Sequence, residues 1–270
     1  MSGPTSGLPT YETLLVDSEV IGVLLITLNR PKQLNAINSK MSSELYDLLR
    51  RLREDHHPDV KVVVFTGAGD GFCSGADLSP DARAERPHSL VVMRRTTDLA
   101  LMLHALPQAT VAKVNGIAAG AGCNLAFSCD FIIASESARF SEIFSRRGLS
   151  LDFGGSWLLP RMTGIHRAKE IAFFGDVLTA QVAQEFGIVN RVVEAGRLDD
   201  FVAGWTRKLS DLPLTALAQT KALLNSSVGP SMSLALEEEG TSQALNFGTA
   251  DSAEAIAAWI EKRPAKFRGE

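Results

Sequence analysis

Two turns rich in small residues, about fifty residues apart, are the part of this chain best suited to chemistry. Each follows an apolar run. The first turn lies in residues 62–78, VVVFTGAGDGFCSGADL, and the second lies in residues 111–130, VAKVNGIAAGAGCNLAFSCD. Gly, Ala and Ser leave the main chain open to a ligand. If the turns face each other, two backbone N–H groups can point at one oxygen and stabilise a carbonyl as negative charge develops on it. The alternative is two glycine turns that only pack together.

Strands and helices alternate over the part of the chain that carries these turns. Apolar β-rich runs occupy residues 13–16, 20–28, 60–66, 110–114, 131–134 and 188–193. Met41, Leu45 and Leu48 fall on one face of a helix that begins at the Asn-Ser pair 38–39, and residues 96–106 form a second amphipathic helix. The alternation predicts an α/β fold in which each small-residue turn follows a strand.

Helical patterns replace this alternation after residue 193. They cover residues 198–209, 214–225, 232–247 and 252–262, and the last begins with Asp251-x-x-Glu254, a spacing typical of a capping box. We therefore predict an α/β core with the site over residues 1–195 and a helical region over residues 196–270.

The composition argues against several classes of partner. The 270 residues carry a formal net charge of −4, which gives no reason to expect nucleic acid or an anionic membrane as a partner. The three cysteines form no C-x-x-C pair and the first residues are neither basic nor apolar, so we expect a cytoplasmic protein with reduced thiols. Residues 116–135 are nearly uncharged, but Asn124, Ser128 and Asp130 interrupt them, so a buried helix followed by a strand is predicted there.

A series of motifs resembles the crotonase superfamily, the enoyl-CoA hydratase/isomerase proteins, over nearly the whole chain. The motifs are LNRPKQLNA at 28–36, GFCSGADL at 71–78, VNG at 114–116 through CD at 129–130, LSLDFGG at 149–155, LPR at 159–161 and AxxxGxVN at 183–190. The resemblance implies an α/β fold, a right-handed spiral of ββα units with two roughly perpendicular sheets. It also implies a helical C-terminal region for trimerisation, and a homotrimer or a hexamer of two trimers.

The same resemblance implies an acyl-CoA thioester as substrate, with no metal and no cofactor beyond the coenzyme A that the substrate carries. It assigns the two oxyanion-binding N–H groups to Ala76 and Ala121. The second position is usually Gly, so Ala121 requires a negative φ there. The residues that the resemblance places at coenzyme A are Lys32, Leu34, Asp77 and Leu78 near the adenine, and Lys266 and Phe267 from an adjacent helix or subunit.

The acids of a standard hydratase are absent from the matching positions. Family hydratases hold one water between two glutamates, and those positions are Asn124 and, counting back from the Gly-Gly pair 154–155, Phe144. Hydration needs both a base and an acid, and neither side chain supplies one near neutral pH. We expect Asn124 to be a buried amide with its hydrogen bonds satisfied, in preference to one that orients a substrate carbonyl, and Phe144 to form a wall of the acyl pocket. Glu142 is offset by two residues, which predicts a different face.

Asp152 is the remaining carboxylate of interest. It matches the acidic position of the family's epoxyphenylacetyl-type and dienoyl isomerases, and its apolar neighbours Phe144, Leu151 and Phe153 are expected to raise its pKa. An isomerase needs only one such group, because a proton taken from one carbon can be returned to another. The alternative is that Asp152 caps the helix that follows the two glycines.

Three hypotheses about function follow from the sequence. The first is an enoyl-CoA isomerase that moves a proton with Asp152. The second is an enoyl-CoA hydratase of unconventional mechanism, which uses Glu142 or Asp152 with a bound water. The third is a non-catalytic acyl-CoA-binding protein, which keeps the oxyanion hole without the acids.

Overall fold

A computed structural model describes residues 7–18, 20–54, 59–84 and 88–269. The strands are β1 (Leu14–Asp17), β2 (Val23–Leu28), β3 (Val62–Gly67), β4 (Gly71–Cys73), β5 (Ala109–Val114), β6 (Ile117–Ala119), β7 (Phe131–Ser135), β8 (Arg139–Ser141), β9 (Leu178–Thr179) and β10 (Arg191–Val193). The helices are α1 (Ser39–Glu54), α2 (Pro80–Ala84), α3 (Ser89–His104), α4 (Ala121–Phe127), α5 (Gly155–Thr163), α6 (Ile165–Phe174), α7 (Ala180–Glu185), α8 (Leu198–Ser210), α9 (Leu214–Ser226), α10 (Met232–Phe247) and α11 (Ala250–Glu261).

The larger sheet has the strand order β1-β2-β3-β5-β7-β10. Its strands run parallel except β1, which pairs with β2 in the antiparallel direction. All six residues of β3 are buried, as expected for a central parallel strand that is covered on both faces. The predicted α/β class is therefore confirmed.

The smaller sheet has the order β4-β6-β8-β9, and the sequence patterns did not reveal it. Its strands are two or three residues long, which is too short for an alternation to be visible. From β3 to β8, successive strands alternate between the two sheets: β3, β5 and β7 belong to the larger sheet, and each is followed by a strand of the smaller one. This is the ββα spiral that the family resemblance implies.

Helices cover both faces of the larger sheet. On one face α1 contributes Met41, Leu45 and Leu48 to the main core, and the Asn38 side chain caps its first turn by accepting from the Met41 N–H at 2.9 Å. On the other face Leu198 and Val202 of α8 pack against the sheet. Helix α8 thus covers the α/β core, although it lies beyond the predicted division at residue 195.

The predicted helices of the C-terminal part are present, but the expected capping box of α11 is wrong. The cap is Thr249, whose hydroxyl accepts from the Ser252 N–H at 3.1 Å. Asp251 instead accepts hydrogen bonds from the N–H groups of residues 268 and 269, and Glu254 pairs with Arg263. Both carboxylates therefore hold the chain that follows α11.

Two other predictions concern the middle of the chain. Helix α3 begins at Ser89, seven residues before the predicted start. The sequence pattern missed its first turns because Leu90 and Met93 are exposed there and hide the periodicity. Residues 116–135 form β6, α4 and β7, as the prediction of a buried helix followed by a strand requires. In the described ranges, no helix combines the length and the apolar character that crossing a bilayer would need.

Candidate active site

The two small-residue turns meet, and Gly75 is what allows them to. Its φ is +95°, and a Cβ on it would lie 2.7 Å from the carbonyl oxygen of Ala119, so another side chain would push the turns apart. Ile37 fixes the first turn from the other side, because its N–H donates to Gly75 O at 2.8 Å and its carbonyl accepts from the Asp77 N–H at 2.9 Å. Ala76 is thereby held beside the turn that begins α4.

Ala76 and Ala121 present the two N–H groups that the sequence assigns to the oxyanion hole. Ala121 is the first residue of α4, where an N–H has no acceptor within the helix. Within the described ranges, neither N–H donates to an acceptor of the protein. Ala121 has no positive φ, so it accommodates the Cβ that the usual glycine lacks. Both N–H groups are therefore left available where the two turns meet.

An ion pair holds the first turn. Arg30 Nη2 lies 2.8 Å from Asp77 Oδ2, Asp77 is 6% exposed, and its other oxygen accepts from the Ser79 N–H at 3.0 Å. Burial acts to raise the pKa of Asp77, but the Ser79 and Arg30 interactions outweigh it and lower the pKa. The Asp77 carboxylate is thus engaged inside the protein, which leaves only its main chain for the predicted contact with coenzyme A.

The predicted coenzyme A residues fall into two groups. Three residues of the first group are exposed, namely Lys32, Leu34 and Leu78. Leu34 lies within 3.4 Å of the position that a Cβ on Gly71 would take. Lys266 and Phe267 lie elsewhere. Lys61 Nζ donates to Phe267 O at 3.2 Å at the start of β3, whereas the turn follows the end of that strand, about 20 Å away. One chain therefore does not bring Lys266 and Phe267 to its own site.

Asn124 connects Glu142 and Asp152, two residues that bear carboxyl groups. It is fully buried, and its Nδ2 donates to Glu142 Oε2 at 3.3 Å and to the main-chain oxygen of Asp152 at 3.0 Å. Its amide lies against Gly155, where an added Cβ would come within 2.5 Å of Nδ2. Asn124 is thus buried as predicted and both of its N–H groups are used, but it is not fully satisfied, since its Oδ1 has no partner among the described residues.

The prediction that Glu142 lies on a different face is wrong. Glu142 directly follows β8 and continues its alternation, so it lies on the side of the buried Phe140 and contacts α4. Phe144 also reaches the second turn, since its ring lies 3.6 Å from the Cβ position of Gly120. Phe144 is 6% exposed, which agrees with its predicted place in a pocket wall.

Burial perturbs both carboxyl groups. It raises the pKa of Glu142 to about 8, with a further increase from the Asp152 charge and opposite effects from Asn124 and the Cys123 thiol. Burial also raises the pKa of the half-buried Asp152 to about 6. A carboxylate with this pKa accepts a proton near neutral pH and gives it back readily.

Asp152 does not cap α5. The helix begins after Gly154, no side chain accepts from its first N–H groups, and Asp152 contributes only its main-chain oxygen, which accepts from the Gly155 N–H at 2.9 Å. Its Oδ1 has no partner among the described residues. Phe153 has a φ of +48°, a strained conformation for a bulky residue and one that is typical of functional sites.

The sequence reasoning missed two features of this site: the Arg30–Asp77 ion pair and the contact of Glu142 with Asn124. Both join residues that are distant along the chain, so no local periodicity indicates them. The signal that was available is the Arg of the motif at 28–36, which precedes the first turn.

The chain is similar to known proteins over almost its whole length. The family model described as enoyl-CoA hydratase/isomerase matches residues 19–270. The chain is 37% identical over 253 residues to the 1,2-epoxyphenylacetyl-CoA isomerase of Escherichia coli K12, covering 92% of this chain and 96% of that protein. It is 36% identical over 252 residues to a probable enoyl-CoA hydratase of Rhodobacter capsulatus, covering 92% and 95%.

Solved structures have the same fold. A putative enoyl-CoA hydratase from Streptomyces coelicolor A3(2) superposes with a TM-score of 0.91 at 35% identity, covering 100% of this chain and 98% of that one. An enoyl-CoA hydratase from Bacillus anthracis gives a TM-score of 0.90 at 31% identity, covering 96% and 100%.

Proposed function

Because the chain belongs to the enoyl-CoA hydratase/isomerase family, we propose that it is an enoyl-CoA isomerase in which Asp152 moves the proton. One observation carries the choice of isomerase. Asp152, which Asn124 ties to α4, keeps a buried oxygen without a partner among the described residues, while Asn124 and Phe144 stand where a hydratase of the family has its two acids. The similarity to an epoxyphenylacetyl-CoA isomerase supports this choice.

The proposed reaction moves one proton and one double bond. The Asp152 carboxylate takes a proton from C-2 of a 3-enoyl thioester, and the electrons of the C–H bond move toward the thioester oxygen to give a dienolate. The N–H groups of Ala76 and Ala121 hold that oxygen, each contributing about 3 kcal/mol. Asp152 then returns the proton to C-4, so that the double bond lies between C-2 and C-3.

The pocket around Asp152 suits this chemistry. Phe144 and Phe153 are buried beside the site and exclude water from the dienolate, which would otherwise be protonated without control. Asn124 fixes the main chain of Asp152 and has no proton of its own to exchange.

Coenzyme A is proposed to bind along Lys32, Leu34 and the main chain of Asp77 and Leu78. Leu34 and Leu78 are 43% and 46% exposed, which suits contact with a ligand. Lys266 and Phe267 lie too far from the site of their own chain, so we propose that a neighbouring subunit of a homotrimer or hexamer supplies them.

A hydratase of unconventional mechanism is the second candidate. Glu142 and Asp152 provide two carboxyl groups on either side of Asn124, and hydration requires an acid and a base. The names of several relatives, among them a crotonyl-CoA hydratase of Syntrophomonas wolfei at 32% identity over 259 residues, support it.

A paired assay tests the proposal. Purified protein is given crotonyl-CoA or a 3-enoyl-CoA, and the absorbance of the conjugated thioester is followed. We expect the 3-enoyl ester to be converted without hydration of crotonyl-CoA. Rapid loss of crotonyl-CoA would instead establish the hydratase, and binding of both esters without turnover would establish a non-catalytic acyl-CoA-binding protein.

The Asp152→Asn variant identifies the residue. It keeps the size of the side chain and removes the base, so we expect kcat to fall by about a hundredfold to ten-thousandfold with ester binding retained. Asp211→Asn, at an exposed residue after α8, is the matched control and should behave as wild type. An active Asp152→Asn enzyme would contradict the assignment.

A further inference from the structure

We propose that Glu142 is a positioning residue that keeps its proton while Asp152 is ionised, so that the two carboxyl groups act as a pair with a single negative charge. The proposal concerns a residue to which the reaction above gives no role. Its catalytic part rests on the proposed proton transfer by Asp152, whereas its structural part does not.

The hydrogen-bond inventory of the cluster carries the argument. Three buried oxygens have no protein partner among the described residues, one on each side chain: Asn124 Oδ1, Glu142 Oε1 and Asp152 Oδ1. The orientation of the Asn124 amide is fixed, since the main-chain oxygen of Asp152 can only accept a hydrogen bond. Both N–H groups of Asn124 are therefore used, and it has none left to give.

Counting donors distinguishes the protonation states. With both acids ionised, the cluster holds three unpaired acceptor oxygens, and the one further polar group that acts on Glu142 among the described residues is the Cys123 thiol, a weak donor. A proton on Glu142 adds an O–H donor that can serve one of the other two oxygens. The singly protonated pair thus leaves fewer buried acceptors without a donor than the doubly ionised pair, and each buried acceptor without a donor destabilises the folded state.

The charges around the pair lead to the same conclusion. The groups that face Glu142 are Cys123 and Asn124 from α4 and Asp152 from the segment before α5. Among the described groups, no Lys or Arg shifts the pKa of either acid. Two carboxylates without a cation would repel each other in this buried setting, so one of them holds a proton.

The more buried acid is the one that keeps it. Glu142 is 1% exposed, whereas Asp152 is half-buried. Desolvation opposes ionisation more strongly at Glu142, which leaves the negative charge on Asp152, where the base is needed. When Glu142 ionises at higher pH, a second negative charge lies near the forming dienolate and the reaction slows.

An infrared experiment tests the protonation state without using activity. The carbonyl stretch of a protonated carboxylic acid is recorded for wild type and Glu142→Gln across pH. We expect a band in wild type near neutral pH that Glu142→Gln lacks and that disappears with a midpoint near pH 8. A wild-type spectrum without that band near neutral pH would overturn the proposal, and this arm stands even if the variant does not fold.

Glu44→Gln is the matched control, because Glu44 is also buried but carries its charge. Burial acts to raise the pKa of Glu44, yet hydrogen bonds from Thr13 and the Glu12 N–H lower it, so it contributes no protonated band near neutral pH. The band should be unchanged in this variant. A band that Glu44→Gln removes and Glu142→Gln keeps would contradict the assignment.

The dependence of kcat on pH tests the catalytic part. The kcat of the wild type should rise with pH through about pH 6 and fall about tenfold per pH unit above about pH 8. Both pH values belong to the coupled pair of carboxyl groups and not to one residue each. In Glu142→Gln we expect the loss above pH 8 to vanish, because the amide cannot ionise there. An unchanged upper limb would overturn the proposal.

The two proposals can fail separately. If wild type isomerises no enoyl ester, the proposed function fails, while the infrared band still decides the protonation of Glu142. If Glu142→Gln loses all activity at every pH with ester binding and fold intact, then Glu142 transfers a proton itself and is not a positioning residue.

Discussion

Asn124 is an amide at the place where family hydratases carry an acid, and the structure gives it a different task. Its two N–H groups tie Glu142 to the main chain of Asp152, so the distance between the two acids depends on this one side chain. Gly155 contacts the amide so closely that no Cβ fits between them. The geometry of the pair therefore depends on a residue that exchanges no proton.

Gly155→Ala tests that dependence. The added methyl group would lie 2.5 Å from Asn124 Nδ2, so the amide must move and both of its hydrogen bonds weaken. We expect a loss of about 1–3 kcal/mol in the free energy of unfolding and a fall in kcat, measured by denaturant unfolding and the isomerase assay. Gly196→Ala, where a Cβ meets nothing within 4 Å, is the control. Equal behaviour of the two variants would disprove the packing argument.

The pH dependence of stability is a second test at the scale of single residues. Burial raises the pKa of Glu142 above its unfolded value, so the folded state binds the proton more tightly and this stabilisation is lost as pH rises toward about 8. Between pH 6 and 8 the free energy of unfolding should fall by up to about 1.4 kcal/mol per unit. In Glu142→Gln this slope should disappear, and in Glu44→Gln it should remain. A flat wild-type curve would contradict the raised pKa.

At the scale of elements, the Arg30–Asp77 ion pair joins the end of β2 to the turn that bears Ala76. Arg30 also donates to the carbonyl oxygen of Ala36, so the guanidinium fixes the loop between β2 and α1 as well. The first N–H donor of the hole thus owes its position to contacts between segments about forty-five residues apart.

Arg30→Met should loosen that turn. Removing Arg30 takes one cation away from a carboxylate that is 6% exposed, for which we expect a loss of about 3 kcal/mol in the free energy of unfolding. Activity should fall through kcat, because Ala76 no longer points at the oxygen in the transition state. Stopped assays and denaturant curves on Arg30→Met, Asp77→Asn and the double variant measure the coupling. Additive losses would mean that the pair does not act as a unit.

Long elements were predictable and short ones were not. The periodicity of α1 and the buried run of β3 belong to single stretches of chain, so the sequence indicates both. Strands β4, β6 and β8 are defined only by pairing with one another, which no local pattern encodes.

The residues of the candidate site also differ in whether the sequence indicates them. Ala76, Ala121 and Asp152 lie in motifs that can be read directly. The place of Glu142 depends on how the chain folds between β8 and α5, including the positive φ of Phe153, and it needed the structure.

At the scale of the whole molecule, the C-terminal helices carry apolar side chains that a single chain leaves uncovered. Among the most exposed of them are Met232, Phe247, Trp259 and Ile260, at 79%, 69%, 81% and 67%. Apolar surface of this kind is typical of a subunit interface. The homotrimer or hexamer that the family resemblance implies stays a prediction, and this surface is the part of the chain on which it can be tested.

Trp259→Asp tests the link between assembly and ligand binding. The charge should prevent burial of this surface, so we expect smaller species in sedimentation velocity and about tenfold weaker binding of a saturated acyl-CoA, since Lys266 and Phe267 no longer reach a neighbouring site. Ile21→Asp, at a residue that is 93% exposed and lies before β2, is the control. Monomers that bind the ester with full affinity would show that each chain builds its site alone.

The placement of the two N–H donors of the proposed oxyanion hole affects how the protein can change over evolutionary time. Its donors follow β4 and β6, which are adjacent paired strands, so their separation is set by the spacing of about 4.8 Å between neighbouring strands. Side-chain replacement leaves that spacing unaltered. Positions 124, 142, 144 and 152 are thus free to drift from one reaction to another while recognition of the thioester is inherited intact.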